Sequence, residues 1–265
     1  MRLMKLTLMS VMLVFYLCNV SLAFDRIVIL APDAADIFHK LNLDYKVVGI
    51  TKHIKLFKKA KRVGTHLRPN IEIIKSLNPD LIVVKRKNNI NASMFQHAKI
   101  YAYNPQTLEG IEKNIRAIGK MFNKEKEAIN LITSLNNMLQ QVKNIEKKPK
   151  VVFEVMETPY IVAGKKSIIN DIIEKAGGSN AITSNRYFVR ISPEKIVFIN
   201  PDIYLYEVGP MNKNPANPKK RALFKKLKML DVQVDQDMFL RSNTVSFKSV
   251  LFLNKLFLKW SQNAR

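Results

Sequence analysis

The sequence predicts an α/β protein of two similar lobes, each built on a mostly parallel sheet, joined by a long helix. Three observations carry this. Short apolar strands alternate with helical stretches through the first hundred residues after a leader. Apolar side chains then recur at spacings of three and four from Leu108 to Ile145. Strand–helix alternation resumes after Pro149 and repeats a phrase of the first half. Continuous apolar strands separated by helices are the mark of a sheet buried on both faces.

In the first half, Arg26-Ile27-Val28-Ile29-Leu30 reads as a strand stopped by Ala31-Pro32-Asp33, followed by a helix from Ala34 to Leu41. Lys46 to Ile50 is a second strand. Pro69 to Leu77 is a helix with proline at its start and Glu72 in its first turn. Asn78-Pro79-Asp80 closes it, and Leu81-Ile82-Val83-Val84 and Lys99 to Tyr103 are further strands. Leu108, Ile111, Ile115, Ile118 and Phe122 form one helix face. After an interruption at Asn123-Lys124-Glu125, residues Ile129 through Ile145 continue the period to Lys147-Lys148-Pro149. At 1.5 Å per residue the second stretch predicts a helix of roughly 35 Å, long enough to brace two lobes. Beyond it, Lys150 to Val155 is a strand, Ser167 to Ala176 a helix ended by Gly177-Gly178, and Ser192-Pro193-Glu194 opens another helix. Ile203 to Tyr206 is the next strand. The segment Pro210 to Lys220, rich in proline and asparagine, reads as a rim loop with too few apolar groups for core.

The chain begins Met1-Arg2-Leu3-Met4-Lys5 and continues with an apolar run from Leu6 to Leu17, the n- and h-regions of a signal peptide. Ser21 and Ala23 suit cleavage after Ala23. A retained anchor is the competing reading, disfavoured because the run falls short of the ~20 residues a spanning helix needs. Cys18 is the only cysteine and lacks the small preceding residue that lipidation requires, so the exported chain has no thiol and relies on packing. The expected organisation is a signal peptide over 1–23, an N-terminal lobe over 24–122, a connecting helix over 123–148 and a C-terminal lobe over 149–265.

Lys and Arg number 44 against 21 Asp and Glu. Loss of Arg2 and Lys5 lowers the formal charge from +23 to about +21. Such a balance attracts anionic surfaces. The lysines are scattered and lack interleaved aromatic platforms, which argues against a nucleic-acid partner. No Gly-rich phosphate loop, Gly-x-Ser-x-Gly elbow or His-Glu-x-x-His helix is present, so the sequence gives no ground for an enzyme.

The two halves share a phrase. Glu72 precedes Asn78-Pro79-Asp80 by six residues, and Glu194 precedes Asn200-Pro201-Asp202 by six. The paired arrangement points to pseudo-twofold lobes. With Val47-Val48-Gly49-Ile50, Val63-Gly64, Pro69-Asn70-Ile71-Glu72, Ala163-Gly164-Lys165 and Ile172 to Gly178, the order of phrases resembles the substrate-binding proteins of ABC importers for vitamin B12, haem and ferric siderophores. The resemblance implies two Rossmann-like lobes, a rigid connecting helix and a cleft that closes only slightly. It implies a monomer in the periplasm that takes a metal chelate as transported ligand, uses no catalytic cofactor, and docks through Glu72 and Glu194 onto an ABC permease dimer in the inner membrane. A first-turn acid that merely stabilises its helix is the alternative for both glutamates.

Loops at the carboxyl ends of the strands are where such a cleft lies. They nominate Asp33, His53, His66, Lys85, Arg86, Tyr160, Tyr187, Phe188, Arg190, Glu207 and Arg241 as ligand-facing, with Arg190 and Tyr187 foremost. Cations there suit anionic oxygens and rings suit an apolar face. A ferric siderophore is the first expectation, because basic residues gather on these loops. A corrinoid follows, disfavoured because Trp260 is the only tryptophan. Haem comes third, because Thr65 stands where haem-binding members place a tyrosine. His53, His66 and Asp33 meeting in space as a free divalent-metal site is a further alternative.

Overall fold

The computed structural model describes residues 24–87 and 90–263. The proposed signal peptide and Cys18 lie outside the described residues. The first sheet contains β1 (Ile27–Ile29), β2 (Val47–Ile50), β3 (Lys61–Arg62), β4 (Leu81–Val84) and β5 (Lys99–Ala102), all parallel, in the order β3-β2-β1-β4-β5. Alternation splits its buried side chains. Ile27, Ile29, Leu81 and Val83 face a large core, whereas Val28, Leu30, Ile82 and Val84 face Ile74. Ile74 belongs to α2 (Ile71–Ser76); the earlier helix is α1 (Ala35–Lys40).

The second sheet contains β6 (Lys150–Met156), β7 (Ile161–Ala163), β8 (Ser179–Asn180), β9 (Phe188–Arg190), β10 (Ile203–Val208) and β11 (Leu230–Asp235). Its order is β11-β10-β6-β7-β9, with β8 also paired to β6. The strands β6, β8, β10 and β11 run parallel, while β7 and β9 are antiparallel additions. Two α/β lobes with mostly parallel sheets are therefore present. The antiparallel edge places Phe188 to Arg190 in a strand where the sequence suggested only a loop.

The repeated phrase has a physical cause. Asn78 and Asn200 take left-handed backbone, with φ of 43° and 48°, a conformation asparagine tolerates at helix ends. The following aspartates then fold back on the first strand of their own lobe. Asp80 accepts backbone N–H bonds from Asp25 (2.6 Å) and Arg26 (3.0 Å), and Asp202 accepts one from Lys150 (2.7 Å). The glutamate-bearing helices also match. Asn70 caps α2 by accepting from Ile73, and Ser192 caps α6 (Pro193–Ile199) by accepting from Lys195.

Between the lobes run α3 (Leu108–Met121) and α4 (Glu125–Leu139). Asn123 breaks them at φ 55°. Sequence periodicity extended the second helix towards residue 148, but it ends at Leu139 and spans about 22 Å. The backbone beyond is held from outside: Lys143 donates its N–H to Asn254 Oδ1 (3.0 Å), and Asn254 Nδ2 donates to Lys143 O (2.8 Å). Ile145 stays buried without being helical, its side chain packed under Gly177. Asn254 lies in the C-terminal helix, which follows α5 (Ile168–Lys175) and α7 (Gln236–Phe239) and is numbered α8 (Val245–Asn263).

One hydrophobic cluster joins both sheets, from Ile27 and Phe38 through Ile115 and Leu135 to Phe153, Phe239 and Phe257. Polar links cross the same seam. The Tyr103 hydroxyl donates to Ser242 O (2.7 Å), Leu108 N–H donates to Asp171 (2.8 Å), and the Thr244 hydroxyl donates to Asp36 (2.6 Å).

The Pro210–Lys220 segment is pinned by polar groups instead of apolar ones. Asn212 is buried and donates to Glu207 O (2.9 Å), and Ala216 N–H donates to Glu157 (2.7 Å). Arg221, just beyond, is buried in a fork with fully buried Glu154, which also accepts from Tyr204 (2.5 Å). Burial lowers the Arg221 pKa, but the bond to Glu154 wins and holds it above its usual value.

Candidate functional site

A cavity of about 620 Å³ opens between the lobes. The first lobe contributes Lys85 and Arg86 from the end of β4, and Asn104 and Gln106 from beyond β5. The second contributes Lys166 to Ile169 around the start of α5, and Asn185 to Phe188 leading into β9. Leu240 and Ser242 complete the lining. The site thus lies at the carboxyl ends of β4 and β5, as the topology requires.

Local sequence shapes the second-lobe wall. Gly164 permits two loops to touch: a Cβ there would stand 2.3 Å from Arg186 O. The backbone bonds Gly164 N to Tyr187 O (3.0 Å), Lys165 N to Ser184 O (2.9 Å) and Lys166 N to Arg186 O (3.1 Å) then lock them together. Lys166, Arg186 and Tyr187 are fixed around the cavity as a result. Across it, the Arg86 guanidinium sits 6.0 Å from the centre of the Tyr187 ring, a cation–π contact between the lobes.

A second group of charges adjoins Lys85. Asp33 is buried and lies 3.5 Å from Lys85 and 3.4 Å from Arg241, which also binds Asp237 at 3.0 Å. Asp33 is therefore committed to cations of both lobes. His66 stands in the same electrostatic neighbourhood. Its loop depends on Gly64, whose φ of +91° and approach to Arg68 O exclude a side chain. The His53 and His66 rings meet at 6.3 Å, edge to face. His66 Nδ1 is buried with no hydrogen-bond partner among the described residues. Burial, then the charges of Lys85 and His53, lower its pKa and so favour the neutral imidazole. A neutral ring with a free nitrogen is the form that ligates metal. Yet no group of three or more His, Cys, Asp or Glu among the described residues is arranged to hold an ion, which removes support from the free-metal alternative.

Of the sequence-nominated residues, Lys85, Arg86, Tyr187 and Phe188 line the cavity, and Asp33, His66 and Arg241 cluster next to Lys85. Tyr160 and Arg190 are not in the lining. Tyr160 packs against Phe224 (6.1 Å) beneath Arg221 (5.6 Å), and Arg190 is exposed on β9, two residues past Phe188. Glu207 is fully buried in the shared-core face of β10. Sequence reasoning missed Asn104, Gln106, Lys166 and Arg186. The Gly164 phrase was the available signal for the last two. Glu72 and Glu194 lie in the exposed first turns of α2 and α6, with Lys75 3.8 Å from Glu72.

Residues 27–222 match the family described as periplasmic binding protein. The high-affinity heme uptake system protein IsdE of Staphylococcus aureus is 33% identical over 177 residues, which is 62% of this chain and 60% of that protein. The chain thus spans less than two thirds of that relative's length. The crystal structure of S. aureus IsdE complexed with heme superposes with a TM-score of 0.76 at 26% identity, covering 88% of this chain and 98% of that one. The vitamin B12 binding protein BtuF of Vibrio cholerae superposes at 0.72 with 20% identity, covering 90% and 98%, a likeness of fold.

Proposed function

The chain belongs to the periplasmic binding protein family, and from that premise we propose that it captures an anionic, ring-bearing iron chelate in the interlobe cavity and hands it to an ABC permease. The supporting observation is the lining itself. Lys85, Arg86, Lys166 and Arg186 surround a floor that includes Ile168, Ile169, Tyr187, Phe188 and Leu240. Four cations over apolar and aromatic groups suit a cargo with carboxylates on one edge and a flat apolar face. Haem fits that description, so we place it ahead of the ferric siderophore that the basic loops alone suggested. His66, beside Lys85 and with its Nδ1 lacking a hydrogen-bond partner among the described residues, supplies an iron donor in place of the absent tyrosine. The excess of cations over what two carboxylates require keeps a more anionic siderophore as the second reading. A corrinoid comes last.

In the same reading the leader exports the chain to the periplasm, and Glu72 and Glu194 engage the two halves of the permease. The test is titration of purified protein with haem, ferric citrate and cobalamin, followed by visible absorbance and calorimetry. One-to-one haem binding is expected, weakened about tenfold or more by Arg86→Ala, with an altered spectrum in His66→Ala. Arg190→Ala, outside the lining, leaves affinity unchanged. Saturable binding of none of the three would sink the proposal.

A further inference from the structure

The basic charge of the chain is not spread evenly along it. No acidic residue occurs between Glu207 and Asp231, and none follows Asp237. The fold brings these two acid-free stretches together. Lys219, Lys228, Met229, Leu256, Lys259 and Trp260 border a surface groove of about 410 Å³ between the start of β11 and the last turns of α8. Lys225 and Lys226, the chain neighbours of Lys228 across Leu227, are exposed, as is Lys255, one turn before Lys259 on α8. Lys219 pairs with Asp231 at 2.9 Å. Apolar groups are open here: Leu230, in the groove lining, is 36% exposed, and Leu223, seven residues before it in the chain, is 50% exposed. Lys147 sits 5.5 Å over the Trp260 ring.

We propose that this face adsorbs the protein to an anionic phospholipid bilayer. Lysines at the rim meet lipid phosphates, and Leu223, Leu230 and Trp260 enter the headgroup boundary, the division of labour that interfacial segments use. The chemistry fits lipid better than nucleic acid. The cations are lysines, Arg221 being consumed by Glu154, and a single indole gives no series of stacking platforms. Orientation follows from α8. Its first turn adjoins Ser242 at the cavity, and Trp260 stands about 22 Å further along the axis. Adsorption therefore leaves the cleft uncovered, and the bound protein still captures cargo. It does so whatever the cleft holds.

The experiment is co-sedimentation of the chain from Phe24 to Arg265 with vesicles of phosphatidylglycerol and phosphatidylcholine, or phosphatidylcholine alone, at low and high salt. Trp260, the only tryptophan, reports on the groove directly. Binding to the anionic vesicles alone is expected, with a blue shift of Trp260 emission and quenching by brominated lipid. The triple variant Lys225→Glu, Lys226→Glu, Lys228→Glu should bind at least about tenfold less. A control triple of equal charge change in the first lobe, Lys52→Glu, Lys55→Glu, Lys58→Glu, should keep most of its binding, with circular dichroism confirming that both variants fold. Equal loss in the two triples, or bound protein whose Trp260 emission is unchanged, would overturn the proposal. So would tighter binding to duplex DNA than to vesicles, lost in the first triple.

Discussion

Glu207→Gln should stabilise the protein by an amount that grows with pH. Glu207 follows Leu205 on the inward face of β10, is fully buried, and has no hydrogen-bond partner for either carboxylate oxygen among the described residues. Burial first, then the nearby charges of Asp235, Glu154 and Asp237, push its pKa from 4.5 up to about 9. Between those values the folded chain holds a proton that the unfolded chain has released. The stability tied to that proton is fully present below pH 4.5 and is lost as pH rises towards 9, with a slope of up to about 1.4 kcal/mol per unit. Glutamine cannot ionise and escapes this slope. Urea unfolding at pH 5, 6, 7 and 8, at fixed ionic strength, compares the two chains. The advantage of the variant should widen by about 1 kcal/mol per unit, reaching about 3 kcal/mol over the range. Parallel profiles, within about 0.5 kcal/mol throughout, would show that Glu207 is ionised and solvated, and the reasoning would fail.

Two further outcomes are expected. Arg221→Met should destabilise by about 3–5 kcal/mol in chemical denaturation, because it strands buried Glu154, and Glu154→Gln with Arg221→Met together should recover part of the loss. If the proposed docking role holds, Glu72→Ala and Glu194→Ala should leave cargo affinity in solution intact while each reduces uptake through the cognate permease in vesicles and the pair nearly abolishes it. Normal uptake in the double variant returns both to helix-start acids.

Much of the fold was legible because local signals and long-range contacts agree. The strand Leu81–Val84 and the stretch Ile203–Tyr206 of β10 are apolar or aromatic runs whose residues are buried on both faces, and Asn70, Thr107, Ser167 and Ser192 cap the helices they precede. The end of α4 was not legible, since the spacing of Leu139, Val142 and Ile145 suits a helix while Asn254, more than a hundred residues away, takes the backbone bonds. The site divides similarly. Lys85 and Arg86 follow an obvious strand, but Lys166 and Arg186 reach the cavity only because two loops touch at Gly164. Tyr160 looked like a loop aromatic, and its real neighbours, Arg221 and Phe224, are sixty residues on. Glu154 carries the sequence signal for that cluster: a charge inside Val151-Val152-Phe153-Glu154-Val155 must find a buried counter-charge.

The core shared by the two sheets has a consequence for signalling. Lobes that bury Phe38, Leu135, Phe153 and Phe257 in one cluster are docked when the chain folds, not when cargo arrives. Under the proposed function, empty and loaded forms would then present α2 and α6 at nearly one spacing, and a permease that merely measured that spacing would be occupied by empty receptors. Discrimination has to come from the mouth of the cavity. On that reading, the part of the surface able to announce that cargo is aboard is the ring of cationic side chains, Arg86 and Arg186 among them, whose charge an anionic cargo would cancel.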